Sequence, residues 1–161
     1  MNIRGDIRMK EIRFVTDAML GKLTKWLRMI GVDTLYYRDA PNDNLVKLAI
    51  EENRQILTRK TSLKNRRDIK NQLLFISDNN PMKQLKEVTE HYHIKIEAHK
   101  IFTICLICNQ RLIELSADRA KDKVPDYIAN TVKIFSICPS CKRVFWKGTH
   151  YENMLKQIEK C

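Results

Sequence analysis

Four cysteines, in two pairs, are the residues of this chain best placed to do chemistry: Cys105-Leu-Ile-Cys108 and Cys138-Pro-Ser-Cys141, with twenty-nine residues between them. A Cys-x-x-Cys pair sets two thiolates at the tip of one tight turn. Two such turns make the tetrahedral sulfur cage that a structural zinc ion takes. The flanking residues agree. Phe102-Thr-Ile leads into the first pair, Phe135-Ser-Ile into the second, and Arg143-Val-Phe-Trp146 runs out of it. Each reads as a short strand beside a metal knuckle, so the pattern predicts a zinc ribbon with an inserted segment. Disulfides or a redox-active pair are the alternatives, and the sequence carries no sign of an oxidising compartment. Cys161 falls outside the pattern as a free thiol, and the four histidines are scattered.

A second set of reactive side chains lies ahead of the cysteines. Ile12-Arg-Phe-Val-Thr16, Thr34-Leu-Tyr-Tyr37, Gln55-Ile-Leu-Thr58 and Leu73-Leu-Phe-Ile76 read as four strands. Between them, Leu20, Leu23, Leu27 and Ile30 recur at helical spacing, with Gly31 as the stop. Leu45, Leu48 and Ala49 mark a second helix, and Pro81 opens a third bearing Leu85, Val88 and Tyr92. Strands alternating with helices and no hairpins predict an α/β fold with a parallel sheet and helices on its faces. Ligands collect outside the carboxyl ends of such strands. There the sequence puts Asp17, then Asp39 and Asp43, then Arg59 and Lys60, then Asp78. Taken singly, each acid is an N-cap or turn residue. Taken together, they could hold Mg²⁺ or Mn²⁺ against a phosphodiester.

The 161 residues carry 30 basic and 19 acidic side chains, a net charge of +11 and an isoelectric point of about 9.6. Residues 1–100 hold 20 bases and 13 acids and residues 101–161 hold 10 and 6, so the excess is no basic tail. A polyanion is the expected partner, and nucleic acid fits better than membrane because no basic amphipathic anchor stands out. Candidate phosphate contacts are Lys22, Lys25 and Arg28 on the first helix, and Arg59, Lys60, Lys64, Arg66 and Arg67 after the third strand. Lys147 and His150 offer a second contact on the ribbon, where Trp146 is expected to pack against the knuckles. Met1-Asn-Ile-Arg-Gly-Asp lacks the apolar stretch of a signal peptide, and no run reaches the ~20 apolar residues of a membrane span. The expectation is a cytoplasmic protein. Its expected parts are a flexible 1–11, an α/β domain over 12–98, and a ribbon with a closing helix over 99–161.

From about Arg13 to Met154 the chain resembles the Mut7-C family, a PIN-like ribonuclease domain followed by a zinc ribbon. The markers begin with Phe14-Val-Thr-Asp-Ala-Met-Leu-Gly-Lys-Leu-Thr-Lys-Trp-Leu-Arg28, Gly31-Val-Asp33, Ile56-Leu-Thr-Arg59 and Gln84-Leu85. They continue with Cys105-x-x-Cys108-Asn109, Val124-Pro125, Cys138-Pro-x-Cys141 and Phe145-Trp-x-Gly-x-His150. The resemblance implies a three-layer α/β/α PIN-like domain and a metal-dependent endoribonuclease. Asp17 would be its first acid and Asp43 its second. The family commonly reads Leu-Thr-Arg-Asp at the third strand, where this chain has Lys60. An ammonium there would repel a cation and pair with Asp17 or Asp43, leaving Asp78 as a substitute acid. Two readings therefore stand: an endoribonuclease weakened by Lys60, or a non-catalytic RNA- or ribosome-binding protein using the same basic surfaces. Ribosomal RNA or a ribonucleoprotein is a candidate partner, by likeness to rRNA-processing nucleases. A toxin-like nuclease also fits the PIN domain, but gains nothing from the ribbon.

Overall fold

Very short strands, whose successive residues point to two different apolar faces, organise the first half of the molecule. The structure, a computed structural model, describes residues 11–38 and 41–161. The N-terminal 1–10 and Asp39 lie outside the described residues. Strands β1 (Phe14–Thr16), β2 (Thr34–Tyr36), β3 (Gln55–Thr58) and β4 (Leu73–Phe75) form a parallel sheet in the order β2-β1-β3-β4. Phe14 and Leu57 point to one face, where they meet Leu20, Leu23, Leu27, Leu85 and Val88. Val15 and Ile56 point to the other, against Leu45, Val46, Ala49, Leu63 and Ile69. Helices α1 (Gly21–Met29) and α4 (Pro81–His91) thus cover one face, and α2 (Asn42–Glu51) and the single turn α3 (Thr61–Lys64) the other. Sheets buried on both faces read as continuous apolar runs, as these strands do.

Helix α1 ends where the sequence predicts. Gly31 adopts φ +85, and the Val32 N–H returns to the Leu27 carbonyl at 2.9 Å. A Cβ on Gly31 would sit 2.4 Å from the Lys100 carbonyl oxygen, so the position is closed to other residues by both conformation and space.

The second half is an antiparallel sheet of β5 (Ile113–Ser116), β6 (Ile134–Ile137) and β7 (Val144–Phe145). The insertion between knuckles folds as α5 (Ala117–Ala120), a 3₁₀ turn and α6 (Asp126–Thr131). Helix α7 (Thr149–Ile158) closes the chain. Its Met154 and Ile158, with Leu106 of the first knuckle, belong to the same core as Phe14 and Leu23. One apolar core therefore runs across the boundary expected at residues 98 and 99. Trp146 packs edge-on against buried Phe135, at 6.3 Å between ring centroids. Among the described residues no helix is long and apolar enough to cross a membrane.

Candidate functional site

The two cysteine knuckles are built alike. In the first, the Cys105 N–H donates to the Gln110 carbonyl and the Cys105 carbonyl accepts from Asn109 N–H, at 2.8 and 3.1 Å. In the second, the Cys138 N–H donates to Arg143 and its carbonyl accepts from Lys142, both at 3.0 Å. The residue after each pair is left-handed, Asn109 at φ 63 and Lys142 at φ 62. The bend turns both sulfurs of a pair inward. All four sulfurs lie within 4.8 Å of one another. Cys105 and Cys141 are 3.7 Å apart and Cys108 and Cys138 3.1 Å, too far for the ~2.05 Å of a disulfide. Sulfurs bound tetrahedrally at ~2.3 Å to zinc sit about 3.8 Å from one another, so the cage fits that ion. Burial pushes the Cys105 thiol up to about 12. Burial also opposes ionisation of Cys138, but the Cys141 and Ser140 backbone N–H groups and the neighbouring sulfurs bring it down to about 6. A bound cation would favour the thiolate at all four.

Behind the cage lies a residue whose role differs from expectation. Arg28 does not join Lys22 and Lys25 on the open side of α1; it is buried. Its guanidinium donates to the carbonyls of Leu106 and Ile107, inside the first knuckle, and to the Thr34 carbonyl, at 2.9 to 3.0 Å. Burial lowers its pKa, against the pull of Cys105, Cys108 and Asp33, which raise it. Its donors are taken up by three backbone carbonyls inside the fold, so Arg28 holds the knuckle rather than a phosphate. Asn109 completes the join. Its side-chain oxygen accepts from Thr34 N–H at 2.9 Å, and its amide donates to Asp33 at 2.6 Å. Asp33 in turn pairs with buried Arg54 at 2.6 Å. The sequence carried a signal for this network, since Asn after a Cys-x-x-Cys suits the left-handed turn, but nothing in it paired Asn109 with Asp33.

At the other pole, Asp17 stands where the chain order reverses between β1 and β3, the crevice that α/β sheets use for ligands. The side chain is fully buried. One oxygen accepts from Met19 N–H at 2.7 Å, capping a 3₁₀ turn. The other accepts from the Thr58 hydroxyl and from Arg59 N–H at 2.9 Å. Asp43 projects into solvent from the first turn of α2 and pairs with Arg66, which also holds Asp68. Asp78 accepts from Asn80 N–H at 2.7 Å in the loop before α4. Lys60 departs from expectation: its ammonium donates to the Asn42 side chain at 3.2 Å, and no ion pair among the described residues joins it to Asp17 or Asp43. The reason is local, because α2 presents Asn42 to Lys60 while Arg66 takes Asp43. Among the described residues, the four cysteines are the one group of three or more potential ligands close enough to share an ion.

The remaining cations separate into two surfaces. Arg59 reaches the Ser77 carbonyl, Lys64 lies over the Phe75 ring at 4.6 Å, and Arg67 is exposed nearby. Lys22, Lys25 and His150 instead line one cleft between α1 and the ribbon, with Lys147 over the Tyr151 ring at its rim.

No curated protein matches the chain. The profile of the Mut7-C RNAse domain matches residues 12–158, a span that takes in the parallel sheet, the sulfur cage and the whole closing helix. That breadth makes the chain a member of the Mut7-C RNAse domain family.

Proposed function

We propose that this chain is an RNA-directed protein on a PIN-like, three-layer scaffold, in which the four cysteines hold a structural zinc ion and phosphodiester hydrolysis is slow or absent. Family membership supports the ribonuclease-like class. The observation that carries the reading is the state of Asp17. Both its oxygens are engaged by Met19, Thr58 and Arg59, and the ammonium of Lys60 occupies the position where the family commonly has a carboxylate. With Asp43 drawn off by Arg66, the edge offers a divalent ion poor terms, because Mg²⁺ wants near-octahedral oxygen ligands and keeps much of its water. The acids present do not fit that ion. What the residues can do is bind. Lys22, Lys25, Arg59, Lys64, Arg67, Lys147 and His150 supply the phosphate contacts, with Lys60 adding its charge from beside Asn42.

The competing reading, a metal-dependent endoribonuclease, has one observation in its favour: Asp17 sits at the crevice between β1 and β3. Incubation with structured and single-stranded RNA, with Mn²⁺ and with chelator, separates the two. The expected result is salt-sensitive RNA binding by the wild type with little cleavage, and more cleavage by Lys60→Asp. Robust Mn²⁺-dependent cleavage by the wild type, abolished in Asp17→Asn, would restore the nuclease.

A further inference from the structure

The cleft that gathers Lys22, Lys25 and His150 has a volume of about 920 Å³, within the usual range of ligand sites. It lies between α1, α6, β7 and α7. Its walls are aromatic: both tryptophans of the chain, Trp26 and Trp146, line it, together with Tyr127 and Tyr151. Tyr127 is 69% exposed, an unusual position for a large ring without a partner. The rim is cationic. Lys22, Lys25 and Arg143 stand around it, and Glu152 is the one carboxylate among its lining residues.

Two properties coincide here that ordinary pockets keep apart. An apolar peptide would use the rings and gain nothing from the cations. A nucleic acid duplex would use the cations, but its stacked bases cannot reach the rings. Single-stranded RNA uses both, since its unpaired bases splay out to stack on aromatic faces while its phosphates meet lysine and arginine. We propose that this cleft seats unpaired bases of a single-stranded RNA segment, with Tyr127 and the cleft tryptophans as stacking surfaces and Lys22, Lys25 and Arg143 on the phosphates. The proposal rests on the RNA-directed reading above and adds where, and in what form, RNA is held. Helix α1 follows the end of β1 after a single 3₁₀ turn, so Lys22, in its first turn, lies nearer Asp17 along the chain than Lys25 does. A strand leaving the cleft over Lys25 and Lys22 therefore runs toward the end of β1.

Because both tryptophans line the cleft, intrinsic fluorescence reports on this site. The probe is a single-stranded oligouridylate of about a dozen nucleotides, compared with an abasic strand of the same length, while total binding is followed by anisotropy of a labelled strand. The expected result is saturable quenching by the oligouridylate and none by the abasic strand. Affinity should fall about tenfold in Tyr127→Ala and in Lys25→Glu. Both side chains are exposed, and zinc content and circular dichroism verify that the variants fold. RNA binding without quenching, and unchanged in both variants, would overturn the cleft while leaving the RNA-directed reading standing. Equal binding of the abasic strand would overturn base stacking in particular. Failure of any RNA to bind at low salt would remove both proposals. Quenching by an apolar peptide that the oligouridylate cannot displace would assign the cleft to a protein partner and overturn the RNA occupant.

Discussion

Arg28 shows how one side chain can belong to two parts of a protein at once. It leaves α1, which packs on the parallel sheet, and ends on carbonyls of the first knuckle. Arg28→Ala would strand those buried acceptors, so the expected loss is about 3 kcal/mol in urea denaturation, with faster zinc release to a chelator. Arg28→Lys should recover only part of it, because a lysine ammonium lacks the planar fork that serves several acceptors. Asp33 supplies a pH dependence. Burial favours its neutral form, but hydrogen bonds from Arg54 and Asn109 outweigh that and hold its folded pKa below the ordinary value. Its contribution is therefore fully present above the unfolded pKa of about 3.9 and is lost as pH falls through the lower folded value. Acid denaturation should begin below about pH 4, and Asp33→Asn should flatten that limb. At Asp17, replacement by Asn would turn an NH₂ group against donors from Met19, Thr58 or Arg59. A stability loss of about 1–3 kcal/mol is expected, larger than any change in RNA cleavage.

At the scale of elements, α1 holds the molecule together. Its apolar side meets the sheet, its Arg28 meets the knuckle, and Lys22 and Lys25 face outward into the cleft. Such a helix must end on time. Gly31 ends it in a left-handed conformation against the Lys100 carbonyl, so Gly31→Ala suffers strain and a clash together. The expected cost exceeds about 1 kcal/mol, read as a lowered thermal midpoint. The ribbon depends on its own turns in the same way. Knuckles of equal hydrogen bonding but different sequence, Cys-Leu-Ile-Cys-Asn and Cys-Pro-Ser-Cys-Lys, reach one geometry because backbone pairing and the bend after the second cysteine set it.

For the whole molecule, the shared core makes an ion held by the four cysteines a matter for both halves. Leu106, Met154 and Ile158 pack with Phe14, Leu23 and Leu27, so loosening the knuckles uncovers apolar surface of the first half as well. Removing zinc with a strong chelator at neutral pH should lower the unfolding midpoint of the entire chain in one transition rather than melt the ribbon alone. Elemental analysis of protein purified without chelator should find one zinc per chain, unchanged in Cys161→Ser. If the chain binds RNA as proposed, its excess of basic residues, a net charge of +11, makes that binding sensitive to salt. If about five phosphates are contacted, affinity should fall roughly a hundredfold between 50 and 200 mM salt, and a titration showing no change would point to a protein or small-molecule partner.

The local patterns of the chain were sufficient for much of this. Two Cys-x-x-Cys pairs specify a sulfur cage because four residues are enough to make each knuckle. Short apolar, β-branched runs were enough to mark β1 to β4, because the sheet is buried on both faces, and three-to-four-residue spacing marked α1, α2 and α4, because each helix buries one face. The same information told nothing of direction around a helix once neighbours compete. Lys22, Lys25 and Arg28 share a spacing that reads as one basic strip, yet three carbonyls contributed from Thr34, Leu106 and Ile107 drew Arg28 inward. Likewise the acids after the strands read as one cluster. Only the tertiary structure gave Asp43 to Arg66, Asp17 to the end of β3 and Lys60 to Asn42, because each polar group pairs with the nearest partner that folding presents. The cleft was decided the same way, since Trp26 of α1 and Tyr127 of α6 lie about a hundred residues apart and line one space only in the folded chain.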